Sequence, residues 1–300
     1  MFVKEANQQD KISCLSLRAP AKINLFLKIL NRRPDGYHEI ESLMQKIDLF
    51  DNLHFSKQGA TISLSCPDTP LPEDEGNLVY RAAQAFFTAT GIKAGIKIVL
   101  EKKIPLAAGL GGGSSDAAAV VIALNRLFNT GLDRKRLSEI ARPLGADVEF
   151  FVQDCSAALA TGIGDRIQKV DPLAGFTILL VNPGFGVSTK WVYENFPLTS
   201  SSNPYILARD RNMGKMLQDS FPGFIEKLGN DLEAVTIKRY PEIAAIKKEL
   251  KMAGAAASLM SGSGPTVFGL FLTEDDAQRS FKQLSKKYRP NLFLARPHIP

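Results

Sequence analysis

The chain has 300 residues, 45% of them hydrophobic and 23% charged, an ordinary soluble globular composition with enough length for two modest domains. Its 37 basic and 31 acidic side chains leave a formal charge of +6, which suits a cleft for anionic substrates, and the basic residues are too scattered to mark a nucleic-acid surface. Cys14, Cys66 and Cys155 have neither metal-ligand spacing nor a disulfide framework, and the longest apolar stretch, 117–124, is too short to span a bilayer. The first residues lack the apolar core of a signal peptide, so the expected setting is the cytoplasm, away from membranes.

Residues 1–13 read as a loosely held extension. Ile23, Leu25, Leu27 and Ile29 then alternate with Asn24, Phe26 and Lys28, the period of a strand, with Lys22 and Asn24 sharing the other face. Pro34-Asp35-Gly36 predicts a turn that presents Tyr37 and His38 on a loop. A strand pair broken at Gln58-Gly59 is expected between 54 and 65, followed by a proline-rich loop over 67–76. Asn77 is the predicted N-cap of a helix over 78–89 that stops at Gly91. Ile96, Ile98 and Leu100 alternate with Lys97, Val99 and Glu101 as another strand.

The next stretch, Pro105 to Phe128, carries the sharpest signal. Gly109, Gly111, Gly112 and Gly113 fall within five positions, between a strand and a helix whose apolar face holds Val120, Val121, Leu124, Leu127 and Phe128. One glycine would be enough for a tight turn. Four remove every Cβ that would block a ligand, and backbone amides at a helix start make a positive concavity for phosphate. Ser114 or Ser115 is the expected N-cap, with Asp116 in the first turn. No Lys-Ser or Lys-Thr closes the loop as in a Walker A sequence, and Ser114 stands where a dinucleotide fingerprint needs its third glycine.

Downstream, Asp133 caps a basic helix ended by Pro143, and Gly145 permits a turn just before Asp147, with Phe150-Phe151 following. A hairpin over 157–160 and 166–170 precedes the expected domain boundary, which divides 1–170 from 171–300. A buried strand over 177–181 leads through Gly184 and Gly186 to a helix capped by Ser188 or Thr189, on which Thr189 and Tyr193 share a face. Residues 197–204 read as a mobile loop, Asp231 as the start of a helix, and Gly254 as the C-cap of an amphipathic one. Strands over 257–260 and 267–272 flank Ser261-Gly262-Ser263-Gly264-Pro265-Thr266, and Thr273 caps the last helix.

Three segments, 19–41, 105–119 and 261–268, resemble the signatures of the GHMP kinases in that family's order. The resemblance implies an α+β, two-domain fold with the active site in the cleft between the domains, and ATP with Mg2+ as cofactors. Pro105, Leu106, Ala107, Ala108, Gly109, Leu110, Gly111, Gly112, Gly113, Ser114 and Ser115 would form the ATP loop, steadied by the second glycine loop. Ser115 would also touch magnesium, and Asn77 and Leu78 would lie near the adenine. Asp147 would be the base and Lys22 its charge partner. Glu149 departs from the family pattern, which has Pro there, and puts a negative charge near the site. APAKINL and RPDGYHEI resemble a member that phosphorylates a cytidine diphosphate alcohol in isoprenoid precursor synthesis, so Asn24, Tyr37, His38, Thr189 and Tyr193 would frame the cytidine diphosphate end. The partners implied are small-molecule substrates, with no nucleic acid and no obligate protein. A mevalonate- or homoserine-type kinase is the alternative. A non-catalytic nucleotide- or RNA-binding protein is another, and it leaves Lys22 and Asp147 without a role.

Overall fold

Alternating burial along two long runs builds the N-terminal half. The computed structural model describes residues 13–197 and 221–299. In it β1 (Cys14–Arg32) and β2 (His38–Lys57) pair antiparallel through the turn at 33–37, where Gly36 N–H donates to the Arg33 carbonyl at 3.0 Å. The register of β1 shifts between Pro20 and Ala21, between Asn24 and Phe26, and between Ile29 and Asn31. Such irregularities twist a strand and re-aim its side chains, and one of them lies beside Lys22 and Asn24.

The first sheet adds β3 (Ile62–Ser65), β4 (Ile96–Glu101), β5 (Ala157–Gly162), β6 (Arg166–Val170) and β8 (Gly229–Asn230), in the order β3-β4-β2-β1-β8 with β5 on β2 and β6 on β5. The strand break at 58–59 is present, but β3 pairs in parallel with β4 and not with β2. Gly95 N–H donates to the Gly59 carbonyl at 3.1 Å, so the loop is tied to the start of β4. The second sheet holds β7 (Thr177–Val181), β9 (Ala257–Met260), β10 (Val267–Phe271) and β11 (Leu292–Ala295) in the antiparallel order β11-β7-β10-β9.

One face of the first sheet is covered by α1 (Leu78–Thr90), α2 (Gly112–Leu127), α3 (Arg134–Ala141) and α4 (Ala146–Val152), over a core that includes Phe55, Phe86, Ile98, Val120 and Phe150. Its other face packs on the second sheet, where Ile23, Leu25 and Ile47 meet Ile178, Phe268 and Leu270. Beyond that sheet lie α5 (Thr189–Glu194), α6 (Glu233–Arg239), α7 (Glu242–Met252) and α8 (Glu274–Tyr288), with Val192, Ile246, Leu250 and Leu284 buried against Val181 and Phe271. The layers run helix, sheet, sheet, helix, each burying its apolar face on the next.

Asn77, Asp133, Ser188 and Thr273 cap their helices as expected, accepting from the N–H groups of Val79, Arg136, Trp191 and Asp276. Three expectations need correction. Helix α2 starts at Gly112, ahead of Ser114 and Ser115, because Gly111 at φ +70° supplies a left-handed cap position that a seryl residue seldom adopts. Asp231 caps nothing: its Oδ2 accepts from Ile29 N–H at 2.9 Å, stitching the approach to α6 onto β1. Strand β10 ends at Phe271, one residue earlier than expected. The loop expected to be mobile at 197–204 lies, apart from Pro197, outside the described residues, as does the extension apart from Ser13. β8 comes from residues 229–230 yet joins the sheet built from 14–170, and an isolated bridge pairs Ile47 with Pro297, so backbone pairing crosses the expected division at 170.

Candidate active site

A single cleft gathers the glycine stretch, Lys22, Asn24, Tyr37, His38, Asn77, Leu78, Asp147, Thr189 and Tyr193. Its glycine-loop end is shaped by charge. Asp51 Oδ1 accepts from Lys103 N–H at 2.6 Å and Ile104 N–H at 2.9 Å, fixing the chain as it leaves β4. Lys102 Nζ, also in the cleft wall, bridges Asp51 to Asp116 Oδ2, the latter at 2.7 Å. All three side chains are buried. Burial alone would lower the Lys102 pKa, but Asp116 and Asp51 carry it above its ordinary value. Burial pushes the Asp116 carboxyl up to about 7, against the pull of Lys102. Nothing in the local sequence links Asp51, Lys102 and Asp116, and sequence reasoning assigned no role to Asp51 or Lys102.

Gly109 adopts φ +74°, and a Cβ there would lie 2.1 Å from the Ser261 carbonyl oxygen. A Cβ on Gly111 would fall 3.0 Å from both Lys22 Cγ and the Phe151 ring. These glycines therefore admit the second glycine loop and the lysine to the first. Ser261 Oγ donates to the Gly109 carbonyl at 2.9 Å and Thr266 N–H to the Ala108 carbonyl at 3.3 Å, which gives the second glycine loop its bracing contact. Gly112, Gly113 and Ser114 follow in the cleft wall as the first turn of α2, a helix N-terminus of the kind that favours anions. Ser115 lies elsewhere: its hydroxyl is buried without a hydrogen-bond partner and is not part of the cleft wall. Asn77 lines the cleft with its amide engaged, Oδ1 capping α1 through Val79 and Nδ2 donating to the Pro72 carbonyl at 2.9 Å.

At the cleft's centre, Lys22 is 3% exposed. Its N–H donates to the Leu110 carbonyl at 2.9 Å, and Nζ donates to Asn24 Oδ1 at 2.5 Å and lies 3.5 Å from Asp147 Oδ2. Asn24 Nδ2 donates in turn to Ser42 Oγ at 2.8 Å, so the amide cannot swing away from the ammonium. Asp147 occupies the first turn of α4, whose N-cap is Gly145. Glu149 does not add charge to the cleft. Two residues along a helix turn it away from Asp147, and it is buried with Oε1 accepting from Gln153 Nε2 at 2.8 Å.

The far end is aromatic. His38 is buried with its ring centroid 5.5 Å from that of Tyr193 and 6.4 Å from that of Phe196. Burial, then the charge of Arg32, holds the His38 pKa below its ordinary value, which favours a neutral imidazole. Burial, then Asp147, raises the Tyr193 phenol. Tyr37 is 61% exposed on the rim, outside this cluster. Thr189 Oγ1 sits 2.8 Å from Ser263 Oγ. Among the described residues, no group of three or more His, Cys, Asp or Glu side chains is placed to hold a metal ion, and no helix is long and apolar enough to cross a membrane.

The chain is similar to known proteins in both sequence and structure. The family described as GHMP kinases N terminal domain matches residues 77–162, and GHMP kinases C terminal matches 211–290. The chain is 46% identical over 283 residues to the 4-diphosphocytidyl-2-C-methyl-D-erythritol kinase of Syntrophotalea carbinolica, covering 94% of this chain and 98% of that protein. It is 46% identical over 278 residues to the enzyme of the same description from Geobacter sulfurreducens, covering 90% and 94%. A crystal structure of 4-(cytidine 5'-diphospho)-2C-methyl-D-erythritol kinase superposes with a TM-score of 0.79 at 33% identity, over 94% of this chain and 98% of that one. Homoserine kinase from Cytophaga hutchinsonii, at TM-score 0.72 and 22% identity over 97% and 95%, shares the fold. The chain belongs to the GHMP kinases, and it is a kinase.

Proposed function

We propose that the protein uses ATP to phosphorylate the 2-hydroxyl of 4-diphosphocytidyl-2-C-methyl-D-erythritol, a step in isoprenoid precursor synthesis. The observation that carries this reading is one cleft with a glycine loop at one end, a ring pair of buried His38 and half-buried Tyr193 at the other, and Lys22 with Asp147 between them. The relatives of that description, at 46% identity over nearly the whole chain, support the same acceptor.

Phosphoryl transfer needs held phosphates, an oriented hydroxyl, a proton acceptor and positive charge where negative charge grows. Residues 105–115 hold the phosphates, and Asn77 with Leu78 borders the adenine. Asp147 accepts the hydroxyl proton. Lys22, locked by Asn24 beneath Gly111, neutralises charge on the transferred group. His38 and Tyr193 take the cytosine between polar and aromatic surfaces, and Asn24, Tyr37 and Thr189 complete that end. Magnesium keeps most of its ligands as water and phosphate, so one or two hard protein oxygens are enough. Asp116, which lines the cleft and whose Oδ1 has no hydrogen-bond partner, fits that donor type, whereas Ser115 Oγ is buried behind the cleft wall. Bound there, the ion would offset phosphate charge.

A coupled assay with the purified chain, ATP and three acceptors tests the reading: the cytidine-bearing alcohol, mevalonate and homoserine. Turnover confined to the first is expected. Comparable turnover of mevalonate or homoserine would overturn it.

A further inference from the structure

Helix α5 has six residues, too few to hold its place without tertiary anchors. Val192 is buried, Val187 N–H donates to the Ala107 carbonyl at 3.3 Å, and the Trp191 ring lies 4.5 Å from the Arg239 guanidinium and 6.5 Å, edge-on, from the Tyr240 ring. On the cleft side Thr189 Oγ1 shares a 2.8 Å hydrogen bond with Ser263 Oγ, and Tyr193, four residues on and facing the same way, is aimed at His38.

The loop that holds Ser263 is rigid from behind. Asn230 Nδ2 donates to the carbonyls of Met260 at 2.8 Å and Gly262 at 2.7 Å, and Thr236 Oγ1 donates to the Ser263 carbonyl at 3.4 Å. On its front, a Cβ at Gly262 would lie 3.3 Å from Lys22 Nζ and 3.2 Å from both Asn24 Oδ1 and the Gly109 carbonyl oxygen. Its neighbour Ser261 is hydrogen-bonded to Gly109. Ser263, 6% exposed and in the cleft wall, thus stands one residue from the contact with the catalytic lysine and phosphate loop, and one hydrogen bond from the acceptor-side helix.

We infer that Ser263 is a positioning residue that ties α5 to the glycine loop beside Lys22, so that an acceptor held against Tyr193 tightens the ATP side of the cleft. This rests on the acceptor reading above. A ligand at Tyr193 favours the rotation of α5 described here, in which the Thr189–Ser263 bond is made, over others in which it is broken, and the bond in turn favours the loop position that braces Gly109.

The test is calorimetric binding of a non-hydrolysable ATP analogue to the full chain, with and without cytidine diphosphate, for wild type, Ser263→Ala, Thr189→Val and the double variant. In the wild type, cytidine diphosphate tightens the analogue roughly three- to tenfold, the worth of one ordinary hydrogen bond. In each variant the ratio falls to one, and the double variant is no worse than the singles. Should Ser263→Ala unfold, Thr189→Val reports on the same bond from the other side. A wild type that shows no tightening, or variants that keep it, overturns the inference while the acceptor reading stands. Cytidine diphosphate failing to bind the wild type at all overturns both.

Discussion

Lys22 Nζ stands 3.5 Å from Asp147 Oδ2, within reach of charge but beyond a normal hydrogen bond, while Asn24 takes its direct bond at 2.5 Å. The ammonium is oriented by a neutral amide, and in the function proposed above it is held there to face an incoming phosphoryl group. Asp147→Asn is expected to lose roughly 10²- to 10⁴-fold in kcat with the fold intact. Lys22→Met should lose a similar factor and the double variant little more, since residues acting as a unit are non-additive. Steady-state kinetics on the three variants decides this: multiplicative losses would mean the two act independently.

Gly109→Ala should weaken ATP binding by more than about tenfold and lower the melting temperature, because it forces a Cβ onto the Ser261 carbonyl and strains a left-handed backbone by about 1–3 kcal/mol. Gly113→Ala is the matched control for stability. Its nearest neighbour would be Leu78 Cδ1 at 3.6 Å, and alanine favours a helix by about 1 kcal/mol over glycine. Thermal melts of the two should separate, Gly109→Ala falling and Gly113→Ala holding, since only the first meets the second loop. Equal behaviour would mean the contact between the two loops does not shape the phosphate site.

Tyr193→Ala should raise the acceptor KM about 5- to 150-fold, the range for losing one aromatic stack on a base. Tyr37→Ala should do much less, because that ring is largely in solvent and outside the His38 cluster. Parallel acceptor titrations at saturating ATP test the ranking, and a larger effect at Tyr37 would move the base to the rim.

Lys46 makes a prediction about pH. Its ammonium lies 5.0 Å from the Phe150 ring centroid and donates to the Gln153 carbonyl at 3.1 Å, yet burial lowers its pKa from 10.5 to about 8. The unfolded chain therefore binds a proton that the folded one has released between those two values, and stability rises with pH across that window. The burial penalty is fully present below about 8 and gone above about 10.5, a change on the order of 3 kcal/mol. Lys46→Met carries no such term, so its stability relative to wild type should fall by that amount from pH 7.5 to 10.5. Urea unfolding at both pH values measures it; a constant difference would place the amine in solvent.

Asp51→Ala removes the acceptor of two backbone N–H groups and one partner of a buried ammonium. Breaking a buried ion pair costs about 3–5 kcal/mol. A loss below about 1 kcal/mol in denaturant unfolding would mean Asp116 alone is enough to hold Lys102.

What could be read from the chain is what repeats locally. Strand periods, the capping side chains of four helices, and both glycine loops were legible because neighbouring residues decide them. The α2 start was missed because seryl capping is a strong habit, whereas Gly111 supplied the turn through its own backbone. The partner of β3 and the role of Asp231 were missed because both are fixed by segments far away in the chain. Lys22 and Asp147, which the structure brings within 3.5 Å of each other, were singled out only through family resemblance, and the Asp51–Lys102–Asp116 cluster carries no motif at all. Ser263 appeared in a recognised loop, but its bond to Thr189 needed the fold to bring it there.

The apolar layer between the two sheets also limits how the enzyme can move. Ile23 and Leu25, flanking Asn24, are fully buried against a layer that includes Phe268 and Leu270, and β8 fastens to β1 nearby. Opening the halves like a pair of jaws would expose that seam to water at about 25 cal/mol for each Å² uncovered, and would break the pairing of Leu27 with Asn230. The hinge that such a two-part kinase would need is glued shut. Under the proposed function, substrate admission and product release are expected from small parts at the margin, among the described residues the turn that bears Tyr37 and the short helix that bears Tyr193.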